Sequence, residues 1–243
     1  MANRIRNKII TGSREKSRAL LDKYCSTTTT GTKVLDFNKV YKMPDDLDVE
    51  FNMNFTEGVN LYLTKINPDC EFFGEPGDKL TKEQYKKVAE GIEEIYLFNH
   101  SYTKSYIETL LKAHKPDKIE ALLKLGKKVY ENYLNTGYLC WNDFREKEWG
   151  SREKNPTDLR LVDNGKSILY ETIGTPAKEI VRKMSEQNPD MKMVLLWAGP
   201  QENVGWNFLH GGVVEAEGSF EDFSEDACKL AKDLWVITES EVM

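Results

Sequence analysis

The chain has 243 residues, 40% of them hydrophobic and 30% charged, with a net charge of −6 at neutral pH. That composition belongs to a globular chain able to bury a sizeable core, either one large domain or one domain with an insertion. No apolar run approaches the roughly 18 residues of a membrane span, and the first residues lack a secretory leader's apolar stretch, so a cytoplasmic protein without membrane contact is expected. The charge is uneven. Residues 1–44 carry ten Lys/Arg against three Asp/Glu, whereas residues 199–243 carry two against ten.

In chain order, "NRIRNKIITG" alternates with a period of two and predicts a strand with Ile5 and Ile9 on one face and Arg4, Arg6 and Lys8 on the other. Ser13 caps a helix through Tyr24, and "KVLDFNKVYKMP" predicts a second strand ended by Pro44. Residues 44–55 and 70–78 read as irregular. Thr81 caps a helix that continues into "KSYIETLLKAH" as far as Pro116. Ile119, Leu122, Leu123, Val129, Tyr130, Tyr133 and Leu134 mark one face of a further helix, with Gly137 beyond its end. Residues 138–156 read as an ordered loop.

Strand chemistry then returns. "DLRLVD" and "KSILYE" flank Asn164-Gly165, a hairpin signal. Thr175-Pro176 opens a helix with Ile180, Val181 and Met184 inward. "MKMVLLWAG" and "VGWNFLHGGVVEAEG" are strands, the latter broken or bulged at Gly211-Gly212, and "SEDACKLAKDLWV" is a final amphipathic helix. The order predicts an α+β fold: a ferredoxin-like βαββαβ core over 1–44 and 157–243, with an additional strand and C-terminal helix, interrupted by a mainly helical insertion over 45–156.

The segments "NRIRNKIITG", "LDFNKVYKMPDDLD", "KEWGS" and "YETIGTPAKEIVRKMSEQNPDMKM" together resemble the YubB ferredoxin-like domain family, carried by phages, prophages and conjugative plasmids. The likeness spans the first 48 residues and roughly 138 to 218. It implies a mobile-element setting, in which accessory proteins often block host defences. The family has no established catalytic residues, and none is assigned here.

Chemistry-bearing motifs are sparse. Cys25, Cys70, Cys140 and Cys228 are scattered, and the three histidines form no metal-binding pair. The glycines of "HGGVVEAEG" lack the Lys-Ser/Thr of a phosphate loop. No cofactor is expected. Three functions follow from what is left. The first is a non-catalytic, anti-CRISPR-like inhibitor that binds a host defence nuclease or ribonucleoprotein through Glu217, Glu221, Asp222, Glu225 and Asp226, whose charge complements a basic groove. The second is a single-stranded RNA-binding module using Arg4, Arg6 and Lys8 with Phe37 and Tyr41 for stacking. The third is a metal-dependent enzyme with its carboxylates in 215–226.

Overall fold

The structure is a computed structural model that describes residues 3–70, 79–95, 104–199, 204–221 and 223–236. It divides into two compact units, Met1–Met43 with Arg145–Met243, and Pro44–Phe144. The second unit ends at Phe144, and residues 145–156, expected within the insertion, belong with the sheet. Trp149 is fully buried there and its indole N–H donates to the Tyr41 carbonyl at 2.9 Å.

The elements follow in order: β1 (Arg4–Ile10), α1 (Arg14–Tyr24), β2 (Cys25–Thr27), β3 (Lys33–Leu35), α2 (Phe37–Val40), α3 (Met53–Ile66), α4 (Lys82–Ile95), α5 (Lys104–Ala113), α6 (Pro116–Thr136), α7 (Trp141–Phe144), β4 (Thr157–Val162), β5 (Ser167–Ile173), α8 (Lys178–Glu186), β6 (Met193–Ala198), β7 (Val204–His210), β8 (Val213–Ser219) and α9 (Glu225–Trp235). The fold is α+β. Its main sheet runs β4-β5-β1-β6-β7-β8 with every neighbouring pair antiparallel, and β2 and β3 form a separate ribbon.

Local chemistry sets most boundaries. The Ser13 hydroxyl accepts from the Lys16 N–H and opens α1. Thr81 and Gln84 cap α4 reciprocally, side chain to backbone in both directions. Gly137 ends α6 at φ +77°, and Gly211 and Gly212, at +56° and +81°, make the turn between β7 and β8. The strand expected over 204–218, broken or bulged at these glycines, is thus broken there into a hairpin of two strands. The second strand expected over 33–44 stops at Leu35, because the Asp36 carboxylate accepts from the Asn38 N–H and starts a helical turn.

On one sheet face Ile5, Ile9 and Leu195 are buried under α1 and α8 with Leu20, Leu21, Ile180, Val181 and Met184. The opposite face takes α9, whose Ala227, Leu230, Ala231 and Leu234 pack on Leu169, Ala198 and Val204. Both faces therefore carry helix. In the second unit, α3 and α6 cross at Gly58 and Gly126, around Phe55, Val59, Leu63, Ile66 and Val129. Helix α3 starts at the end of the first stretch expected to be irregular and runs through residues with no expected element; Asn52 caps it, its side chain accepting from the Phe55 N–H.

Candidate functional site

Alternation along β1 puts Arg4, Arg6 and Lys8 on the face opposite Ile5 and Ile9, as expected. The partners they meet there are carboxylates. Antiparallel pairing of β1 with β5 sets Glu171 directly across from Arg6. Arg6 pairs with Glu171, and with Asp158 at 3.0 Å, while Arg4 reaches Glu171 at 3.1 Å. Lys8 holds Asp163 at 2.7 Å. Asp158 also binds Arg160, at 2.5 Å. It sits in a bulge of β4 at φ +53°, a kink that turns its carboxylate toward Arg6. The Trp235 ring lies 4.5 Å from the Arg6 guanidinium carbon, and Arg6 is 8% exposed.

Burial would raise the Glu171 carboxyl, yet hydrogen bonds from Arg6 and Arg4 hold it below its ordinary value. Asp163 behaves alike: burial pushes it up, and the bonds from Lys8 and Ser167 bring it down further than that. Glu153, which accepts from the Ile173 N–H at 2.8 Å, is raised, because burial outweighs that bond.

The cations expected to contact RNA on β1 are ion-paired: Arg6 is buried, Lys8 half-buried and Arg4 keeps half of its side chain exposed, so a phosphate would compete with a carboxylate at each. Phe37 is fully buried, edge-on to Trp149 and Tyr170 at centroid distances of 6.2 and 6.3 Å, so no base can stack on it. Tyr41 is 41% exposed, and the Lys183 ammonium lies 3.9 Å from its ring centroid. Sequence reasoning missed Asp158, Asp163, Glu171 and Trp235, the residues that surround these cations.

The acidic end is arranged differently. β8 is an edge strand whose other side meets no strand among the described residues. Glu217 on β8, Glu221 after it, and Glu225 and Asp226 in the first turn of α9 are all exposed. Among the described residues none of these four carboxylates has a Lys, Arg or His nitrogen within 4 Å; Glu215 has His210 at 3.2 Å. Asp222 lies outside the described residues. Phe223 stands among these carboxylates, 79% exposed at φ +57°. The Ser224 hydroxyl accepts from the Ala227 N–H, so Glu225 and Asp226 also meet the positive end of the α9 dipole. Among the described residues no three His, Cys, Asp or Glu side chains converge as metal ligands would, and no helix is long and apolar enough to cross a membrane.

Beside this edge, two tryptophans each lie over the glycine they pair with across the sheet. Trp197 covers Gly205, and Trp206 covers Gly218, where an added Cβ would sit 2.7 Å from the indole nitrogen. A side chain at either glycine would lift the ring above it. Trp206 faces the same side as α9 and is half-buried.

No family model and no curated protein matches the chain. Among solved structures it is similar to the protein api92 from Yersinia pseudotuberculosis, of family model DUF1281, with 11% identity over 91% of this chain and 99% of that one and a TM-score of 0.37. That degree of likeness carries no argument here.

Proposed function

We propose that this chain is a non-catalytic binding protein of a mobile element that docks, through its acidic β8–α9 edge, onto a basic nucleic-acid-handling protein of the host defence, and blocks it as anti-CRISPR proteins do. The observation that carries this is the contrast between the two charged ends. The cations of β1 are matched by carboxylates within the fold, whereas Glu217, Glu221, Glu225 and Asp226 point outward without a basic partner among the described residues. A groove built to hold nucleic acid carries the complementary sign, and desolvating those pairs would give both attraction and register. The strand order β4-β5-β1-β6, with α8 crossing between β5 and β6, supports the ferredoxin-like core that the family resemblance implies.

The test is a plasmid-establishment assay in hosts carrying defined defence nucleases, with the chain supplied in trans. Wild type is expected to restore establishment against at least one nuclease, and Glu221→Lys/Glu225→Lys/Asp226→Lys to lose most of that protection while keeping its thermal melt. An equally protective triple variant would remove the acidic edge from the mechanism. Failure of wild type against every system would remove the inhibitor function.

A further inference from the structure

Among the described residues, helix α9 leaves part of its sheet face uncovered. Eleven residues make a rod roughly 16 Å long and 10 Å wide; six strands spaced at about 4.8 Å make a face roughly 24 Å across. The buried cluster under α9 takes Val162, Leu169, Ala198 and Val204, with Leu196 packed against it, and does not take in Val194, Trp206, Phe208 or Ala216 toward the β8 side. One row outside it is Ile10, Val194, Phe208 and Ala216, aligned across β1, β6, β7 and β8 by register. The first three are half-buried and Ala216 is exposed. Trp206, flat on Gly218, adjoins Phe208 on the same side, and Val213 beyond them is 61% exposed.

The surroundings have a definite sign. Glu215 stands at one end of β8, and Glu221, Glu225 and Asp226 stand at the other, beside the start of α9. Of the cations on this side, Arg4, Arg6, Arg160 and Lys8 are paired with carboxylates and His210 with Glu215. Lys192 lies 5.9 Å from the Phe208 ring centroid, and Lys229 and Lys232 are exposed on α9, fewer than the carboxylates at the border. An apolar strip with an acidic border fits a partner with an apolar stripe and basic flanks. A second copy of this chain would bring like charges together, and a nucleic acid strand would meet the same repulsion.

We infer that this strip seats a basic amphipathic helix of the partner protein, laid beside α9 with its apolar stripe on Phe208, Trp206 and Val194 and its Lys/Arg flank along the β8–α9 carboxylates. The inference rests on the acidic-edge proposal and adds the contact surface and the partner's form. The probe is a synthetic Leu/Lys peptide of about 14 residues with helical spacing, compared with a scrambled peptide of the same composition. Calorimetry reads affinity, and amide NMR shifts read location.

The ordered peptide is expected to bind more tightly than the scrambled one and to shift Val194, Phe208 and Ala216. Phe208→Ala is expected to weaken it about tenfold or more. Ala216→Arg, at an exposed position that leaves folding intact, should do the same by blocking the strip. If both variants bind like wild type while Glu221→Lys/Glu225→Lys/Asp226→Lys does not, the strip is not the seat and the charge proposal stands alone. Unchanged affinity in the charge variant as well would defeat both. A wild-type dimer that Ala216→Arg dissociates, or the same NMR shifts produced by single-stranded RNA, would give the strip another occupant and overturn the inference.

Discussion

Replacing Glu171 with alanine is expected to destabilise the protein by about 3–5 kcal/mol, the usual cost of stranding one member of a buried ion pair. Glu171 is 7% exposed and binds both Arg6 and Arg4. Without it Arg6 keeps only Asp158 as a carboxylate partner, and its Nε already lacks a hydrogen-bond partner. The thermal midpoint should fall by roughly ten degrees. Arg6→Met should cost less, because Glu171 retains Arg4 and the replacement buries a stem of similar length. Acid should reproduce part of the loss. The Glu171 carboxyl lies below its ordinary value of 4.5 in the folded chain, so its stabilisation is complete above that pH and disappears as pH falls through the folded value. Asp163 adds in the same direction. Urea midpoints measured from pH 7 down to pH 3 should decline in wild type and flatten in Glu171→Gln. A midpoint unchanged by Glu171→Ala at pH 7 would show that the network is not holding β1.

Gly126→Val should be at least as damaging in the helical unit. A Cβ at Gly126 collides with the Gly58 carbonyl, and one at Gly58 would stand 2.7 Å from the Leu122 carbonyl oxygen. Both obstacles are backbone, so no side chain can rotate away; α3 and α6 must separate. They share the core made by Phe55, Val59, Leu63 and Val129, and separation would wet it. The expected loss is about 3 kcal/mol or more, read by hydrogen exchange as lost protection in residues 53–66 and 116–136. Gly126→Ala should show the same pattern in weaker form. Protection that survives Gly126→Val would mean that the helices cross farther apart.

The sequence carried the alternation of β1 and the inward place of Ile5 and Ile9, because strand period is a local property. It carried the outward place of Glu221, Glu225 and Asp226 for a second local reason, since these flank a helix start. What it did not carry was the charge balance of β1. Glu171 lies 165 residues from Arg6, and the two meet only because β1 inserts between β5 and β6. Asn164-Gly165 announced the β4–β5 hairpin but not the third strand laid against it. Phe37 was misplaced by one local competitor, the Asp36 cap, which converts an apparent strand into a helical turn and drives the ring into the core. Helix α3 was hidden among Pro and Gly punctuation although Phe55, Val59, Leu63 and Ile66 recur at helical spacing. The rows of the open strip were invisible, because each of their members comes from a different strand.

If outward attraction belongs to the carboxylates of the C-terminal segment and not to the cations of β1, the protein should ignore nucleic acid under the conditions that most favour binding it. Filter binding of labelled single-stranded RNA at low ionic strength, where phosphate attraction is strongest, measures this directly. Wild-type protein should retain no more RNA than an acidic control protein, and Lys8→Gln should change nothing. Retention that falls with added salt and is lost in Lys8→Gln would mean that the first strand still offers its charge to solvent.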